Sequence, residues 1–501
     1  MVIRKKEFGD FQTPIKLTRQ ICHLLAQQGI SPAVVVEPTC GKGSFIFASL
    51  EYFPQIERVF GIEINANHIY PLRQELNHRN LSHKVEIRHR DFFEVDWETI
   101  LVEFPDPLLI IGNPPWVTNS TLGLLNSQNL PEKTNFQNHS GLDALTGKSN
   151  FDISEWMLIH LVQLMIDRDG VLALLVKTSV ARKVLKYLWE RKVEIGESHI
   201  YLLDGKQEFG VSVDMCLFVC KTNGNYKNQT CKVYNGLSEQ TFLTTFGFSG
   251  SHLVANIDNY NQWKHLISTT EEHYKWRSGI KHDTAKVMEL TRYTAFYKNG
   301  LGETCILEDD YVYPLLKSSD IAKGIVRQPR RWVLVPQSYV GESTAHIKHN
   351  APETWNYLND HKALFDRRKS SIYKNKPKFS IFGVGDYSFA LWKVAISGLY
   401  KNLKFVVVGP YEDKPVMLDD TCYLIPCKNK KEADFLASLL NSSIAKEFFS
   451  SFIFWDSKRP ITANILSQLD ILLLAEELGL ESKINEFVHT KKAKQLSLLS
   501  L

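Results

Sequence analysis

Four consecutive residues, Asn113-Pro114-Pro115-Trp116, follow directly on the apolar run Pro107-Leu108-Leu109-Ile110-Ile111-Gly112. A buried strand that stops at an amide, two prolines and an indole is suited to building a site. Asparagine supplies a neutral acceptor oxygen, the prolines stiffen the turn and leave carbonyls without competing N–H donors, and tryptophan offers a flat stacking face. That set matches a planar substrate carrying an amino group. The exocyclic amine of adenine or cytosine is a poor nucleophile because its lone pair is delocalised into the ring. Two acceptors gripping its hydrogens favour a pyramidal nitrogen and free the pair, so the chemistry within reach is methyl transfer to an exocyclic amine. A plain tight turn is the bland alternative, since Asn-Pro and Pro-Pro are ordinary loop punctuation. The surroundings decide between the two.

Three earlier positions have the same character. Val34-Val35-Val36 runs into Glu37-Pro38-Thr39-Cys40-Gly41-Lys42-Gly43, Val59-Phe60-Gly61-Ile62 into Glu63, and Val85 to Arg90 into Asp91-Phe92-Phe93. The Gly41-x-Gly43 turn lets backbone approach a ligand closely. It lacks the third glycine of a dinucleotide fingerprint and the Gly-Lys-Ser/Thr of a phosphate loop. Glu37 beside it would repel a phosphate and attract the cationic amino group of a methionine-type ligand. Glu63 is placed like the acid that takes ribose hydroxyls in nucleotide-binding sheets. Asp91 could bond an adenine amino group while Phe92 covers its face. Singly, each is more often a solvated acid or a core aromatic; in ordered succession they reinforce one another.

The elements that must position these residues read as a doubly wound α/β domain. Parallel sheets put their ligand sites at the carboxyl ends of the strands, so the four strand tips are expected to converge on one crevice. Helical spacing from Asp152 to Arg168 stops at Gly170, strand-like Val171 to Val176 follows, and a further helix is expected over Val180 to Lys192. The runs Ser198 to Leu203 and Met215 to Cys220 are expected to pair as an antiparallel hairpin at the sheet edge. Composition shifts after Tyr234, which places the boundary between a domain over 1–238 and another over 239–501.

The ordered set Phe11-Gln12-Thr13-Pro14, Glu37-Pro38-x-Cys40-Gly41-x-Gly43, Glu63, Asp91-Phe92-Phe93 and Asn113-Pro114-Pro115-Trp116 resembles the bacterial DNA adenine-N6 methyltransferases of type II restriction-modification systems. The match is to the gamma-type motif order, with the cofactor region first and target recognition last. Trp276 to Asp283, Gly383 to Phe389 and Lys458 to Thr462 are similar to blocks in the C-terminal specificity domains of that group. The resemblance implies a Rossmann-like S-adenosylmethionine-dependent methyltransferase sheet plus a C-terminal α+β target-recognition domain. It implies S-adenosylmethionine as cofactor, with Thr13 and Glu37 near its methionine end, Glu63 at the ribose, and Asp91 and Phe92 at the adenine. Pro14, Cys40, Gly41, Gly43 and Asn113 complete the implied cofactor-binding set. It also implies double-stranded DNA as partner and protection of host DNA as the role, with any cognate restriction endonuclease a separate chain and this protein a monomer. Trp116 stands where tyrosine or phenylalanine is commoner, from which altered fit is expected and not lost activity.

On this reading the target adenine must leave the duplex, which costs on the order of a few kcal/mol. Trp116 on one face and Phe209, in Glu208-Phe209-Gly210, on the other would recover much of that, at ~1 to 3 kcal/mol per stacked base. Asn113 and the Pro114 carbonyl would hold the amino hydrogens. No general base is needed before transfer, because the proton can leave afterwards. Phe209 as a plain core aromatic is the alternative. The polar stretch from Val117 to Asn150 is far longer than the ~12 to 15 residues of a usual structureless connection, and is a candidate flap that orders on DNA.

Cations cluster among aromatics in the second half: Lys275-Trp276-Arg277, Arg327 with Arg330-Arg331-Trp332, Arg367-Arg368, and Lys374 with Lys376. One such cluster is ordinarily solvated surface; together they suit a phosphate-tracking DNA-binding domain. The formal net charge of +4 permits a nucleic-acid partner without demanding one. Hydrophobic residues at 44% and charged residues at 23% are globular values and exclude global disorder. No apolar run reaches the ~18 residues that cross a bilayer, and the cationic N-terminus has no apolar region after it, so a cytoplasmic location and no membrane partner are expected. The eight cysteines show no paired spacing, and His282-Asp283 lacks further ligands, so no metal is expected. Rival readings are N4-cytosine transfer, a protein-glutamine or RNA base methyltransferase, and a DNA-binding protein with a degenerate fold. The intact polar set argues against the last.

Overall fold

The computed structural model describes residues 12–116, 152–222, 229–269 and 273–488. The chain divides into two compact units, Met1–Ile257 and Asp258–Leu501.

In the first unit β1 (Val34–Glu37), β2 (Arg58–Glu63), β3 (Val85–His89), β4 (Leu108–Gly112) and β5 (Gly170–Lys177) form a parallel array in the order β3-β2-β1-β4-β5. Val34 to Val36 and Leu109 to Ile111 are wholly buried, as expected of strands covered on both faces. The cover comes from α1 (Ile15–Gln27), α2 (Ser44–Tyr52), α3 (Ala66–His78), α4 (Trp97–Val102), α5 (Ile153–Leu164) and α6 (Thr178–Glu190). The α1 stripe of Leu17, Ile21, Leu24 and Leu25 packs into the same core as Phe45 and Ile46 of α2.

The strands after β5 depart from the expected edge hairpin. β6 (Ser198–Asp204) and β7 (Asp214–Lys221) are antiparallel, but β7 inserts between β5 and β6. Its unbroken buried run from Met215 to Cys220 is the pattern of a central strand. β6 then pairs in parallel with β8 (Thr230–Asn235), and β9 (Phe242–Ser249) and β10 (His252–Val254) extend the sheet to ten strands. β8 and β9 are only partly buried and carry threonines and a lysine, which is why their sequence looks like the start of another domain. The unit therefore ends beyond residue 238, at Ile257.

The second unit is α+β. One sheet has the order β11-β20-β17-β18, from β11 (Arg277–Ser278), β20 (Cys422–Cys427), β17 (Trp392–Ser397) and β18 (Val406–Val408). The other runs β14-β13-β12-β16-β15-β19, from β12 (Glu289–Arg292), β13 (Tyr297–Asn299), β14 (Thr304–Cys305), β15 (Val312–Leu316), β16 (Arg331–Leu334) and β19 (Met417–Leu418). Two of the sequence blocks cross where glycine is required. Lys281 N–H donates to the Phe382 carbonyl at 2.8 Å and Phe382 N–H returns to that of Lys281 at 2.9 Å. A Cβ on Gly383 would collide with the Gly279 carbonyl, and one on Gly279 with the carbonyls of Leu418 and Asp419. Arg459, from the third block, donates to the Asp420 carbonyl and lies over the Tyr423 ring.

Candidate active site

β1 lies between β2 and β4, so the crevice opens at the carboxyl ends of β1 and β4, where the crossover direction reverses. Glu37 ends β1 and is 2% exposed. A Cβ on Gly112 would lie 3.4 Å from Glu37 Cγ, so the tips of β1 and β4 adjoin. Glu37 Oε2 is buried with no hydrogen-bond partner among the described residues. Burial, reinforced by the charge of Glu63, pushes the Glu37 carboxyl well above the ordinary range. A positive charge placed beside it would restore the ionised form that burial disfavours, so a cationic group suits this position.

Glu63 is fixed by the glycine turn. Its Oε2 accepts from Gly41 N–H at 2.7 Å and its Oε1 from Asn65 N–H at 2.7 Å. A carboxylate has about four lone-pair sites, so this anchoring is compatible with accepting hydroxyls as well. The turn is sealed from outside by Gln12, whose Oε1 accepts from Lys42 N–H at 3.0 Å; a Cβ on Gly41 (φ +50°) would stand 2.7 Å from that oxygen. Pro14 is exposed at the start of α1, and the left-handed Gly43 opens α2. The Cys40 side chain points into the core, while its N–H ties the turn to Ile62 at 2.8 Å. Asp91 Oδ1 accepts from Phe93 N–H at 3.0 Å and caps the short turn Phe92–Glu94. Phe92 is buried 5.0 Å from the Trp97 ring and 6.2 Å from that of Trp156. On α5, Trp156 stacks on His160 at 4.9 Å. The two rings stand at positions i and i+4 and so share one helix face, the signal by which this pair is legible in the sequence.

The Asn113 turn is held from two directions. Asn113 Nδ2 donates to Thr13 Oγ1 at 3.2 Å, and Thr39 Oγ1 donates to the Asn113 carbonyl at 3.3 Å. Thr13 thus engages the amide nitrogen, and Asn113 Oδ1 is buried as well. Trp116 differs from the open stacking face expected. It is 9% exposed, its indole N–H donates to the Leu175 carbonyl at 3.2 Å, and its ring meets that of Phe209 edge to face at 5.4 Å and 71°. The two rings touch each other, so they do not form a pair of parallel jaws. Lys177, at the tip of β5, pairs with the buried Asp152 at 2.6 Å and reaches the Trp116 carbonyl at 3.5 Å. Neither Thr39 nor this pair was expected from the sequence. The candidate flap from Val117 to Asn150 lies outside the described residues.

A family model described as N-6 DNA methylase matches residues 3–281. The chain belongs to the N-6 DNA methylase family. Type II methyltransferase M.NspV of Nostoc sp. is 46% identical over 472 residues, covering 94% of this chain and 98% of that one. Type II methyltransferase M.BanIII of Aneurinibacillus aneurinilyticus is 23% identical over 515 residues, covering 89% and 85%. Among solved structures, that of the type IIL restriction-modification enzyme MmeI in complex with DNA is similar at a TM-score of 0.54 and 14% identity. That likeness covers 91% of this chain and 64% of the other, and concerns the fold. The chain is thus a DNA methyltransferase of the restriction-modification type.

In this N-6 DNA methylase the cationic positions of the second unit divide by environment. Lys275, Arg277, Arg327, Arg367, Lys374 and Lys376 are exposed. Arg277 lies over the Tyr387 ring at 5.3 Å. Arg330 and Arg331 each pair with the buried Asp320 at 3.2 Å, Arg330 with its side chain 64% exposed. Arg368 is a strut: it donates to the carbonyls of Ser380 at 2.6 Å, Lys378 at 3.1 Å and Phe365 at 3.1 Å, and covers the Tyr373 ring at 3.7 Å. A guanidinium so engaged holds the loop around it together. Among the described residues no cluster of metal-ligating side chains occurs, and no helix is long and apolar enough to cross a membrane.

Proposed function

We propose that this methylase transfers a methyl group from S-adenosylmethionine to N6 of adenine in double-stranded DNA, after flipping the base, and so protects host DNA within a restriction-modification system. The reading rests chiefly on one observation: Asn113, clamped by Thr13 and Thr39, stands beside a buried acid at the β1 tip, one of whose carboxyl oxygens has no hydrogen-bond partner among the described residues. The cofactor, when bound, supplies an electrophilic methyl group. The residues present fit it. Glu37 takes the amino group, Glu63 the ribose hydroxyls, Asp91 and Phe92 the adenine, and the Gly41 turn allows close passage. Asn113 and the Pro114 carbonyl hold the two amino hydrogens of the target base, which localises the nitrogen lone pair. Trp116 is anchored through its indole N–H, so Phe209, on the last residue of the five-residue helix Gly205–Phe209, is the ring that swings to admit the base. The exposed cations of the second unit track phosphate. Incubating duplex DNA with the protein and cofactor, then digesting to nucleosides for mass measurement, tests the reading: N6-methyldeoxyadenosine is expected, and N4-methyldeoxycytidine alone would overturn the adenine assignment.

A further inference from the structure

In the second unit a groove of about 820 Å³ opens between the β12–β13 hairpin and the 411–414 turn. One wall is the hairpin tip. Tyr293 N–H donates to the Phe296 carbonyl at 2.9 Å, which stacks the two rings at 4.8 Å and 18°, with Tyr293 47% exposed. The floor is Trp332, over which the Arg292 guanidinium lies at 4.4 Å. The other wall is a two-residue turn closed by Tyr411 and Lys414 bonding each other at 3.0 Å in both directions. Its central residues Glu412 (φ +49°) and Asp413 (φ +59°) are both left-handed without being glycine. That turn brings Glu412 to 2.5 Å from Arg292. Arg330 stands on the rim.

The composition of this groove separates two kinds of DNA contact. A surface that only tracks the backbone is cationic throughout, because a carboxylate repels phosphate. Here a carboxylate and a guanidinium stand side by side, with the exposed Tyr293 ring on one wall and the buried Trp332 beneath. Base edges present the matching groups: amino donors of cytosine and adenine seek an acceptor such as Glu412, and the guanine acceptor pair seeks a guanidinium fork such as Arg292. Positive φ at both central residues is what a two-residue turn closed in this way requires, and it sets the Glu412 carboxylate on the groove wall beside Arg292. We infer that this groove reads base edges of duplex DNA, with Glu412 and Arg292 as specificity-determining residues and Tyr293 packing against the base-pair edge. This rests on the DNA-methylation reading above.

The test is the sequence that becomes methylated. The full-length protein and its Glu412→Gln, Arg292→Lys and Tyr293→Ala variants are expressed in a bacterial host lacking other methylation, and modified bases are mapped by single-molecule sequencing. Purified proteins are compared on duplexes with single base-pair changes. The wild type is expected to modify one motif. Glu412→Gln and Arg292→Lys are expected to accept another base at one position of it, with discrimination in kcat/KM at that position falling about tenfold or more. Variants that keep the same motif and the same discrimination would overturn the groove assignment while leaving the methylation reading intact. So would a uniform loss on all sequences with a shallower salt dependence, which marks backbone contact. A wild-type protein that methylates no DNA base would overturn both.

Discussion

Asn113 is positioned by Thr39 and Thr13, which lie 74 and 100 residues before it in the chain. The amide itself was readable in sequence, because a polar residue followed by two prolines at a strand end has few structural uses. Of its supports, Thr13 was legible only through the resemblance and as a cofactor residue, and Thr39 not at all: a lone threonine in a turn carries no signal until the fold brings it within 3.3 Å. The acids Glu37 and Glu63 were legible as strand-end residues, whereas the burial of the first, with its Oε2 lacking a partner among the described residues, appears only in three dimensions. Trp116 was legible as an aromatic but not as an anchored one, since the Leu175 carbonyl that holds it belongs to β5. At this scale Asn113→Ala is expected to lower kcat by about 10² to 10³, the usual effect of deleting a transition-state hydrogen-bonding group, a larger change than any loss of cofactor affinity from its place in the cofactor-binding set. Equilibrium binding of the cofactor and single-turnover methylation measure the two separately. Methylation at the wild-type rate would refute the role given to the amide.

At the scale of elements, the parallel strands and their covering helices were legible because their apolar runs end abruptly at polar residues. The later strands were less so. β8 and β9 are half-buried and carry Thr and Lys, which read equally well as loop, so β7 was placed toward an edge it does not occupy. In the second unit the short strands give little periodicity, and the crossing of Gly279 with Gly383 shows in sequence only as two glycines far apart. That crossing leaves no room for a methyl group against the backbone of Leu418 and Asp419. Gly279→Ala is therefore expected to destabilise the second unit by about 1 to 3 kcal/mol, as overpacking does, while cofactor binding by the first unit persists. Calorimetry of the full chain should show one transition lowered. An unchanged melting profile would mean that the crossing is less tight than described.

At the scale of the molecule, each unit carries its own core, and the second encloses an uncommon feature. Lys393 is fully buried, with the carbonyls of Ala390 at 2.5 Å and Val416 at 3.0 Å as hydrogen-bond acceptors. Burial pulls its pKa down from 10.5 to about 7. Between those two values the unfolded chain holds a proton that the folded chain lacks, so raising the pH stabilises the fold; below about 7 both forms are protonated and this contribution is lost. Lys393→Met should raise the melting temperature most near and below neutral pH and flatten its rise toward alkaline pH. Parallel melting curves for the two proteins across that range would contradict it. The central claim, however, concerns a single nitrogen atom, and the decisive measurement is the mass of nucleosides released from duplex DNA after reaction with isotopically labelled S-adenosylmethionine. The account predicts label in N6-methyldeoxyadenosine, accumulating about 10² to 10³ times more slowly with Asn113→Ala; label confined to N4-methyldeoxycytidine, or none in DNA at all, would contradict it.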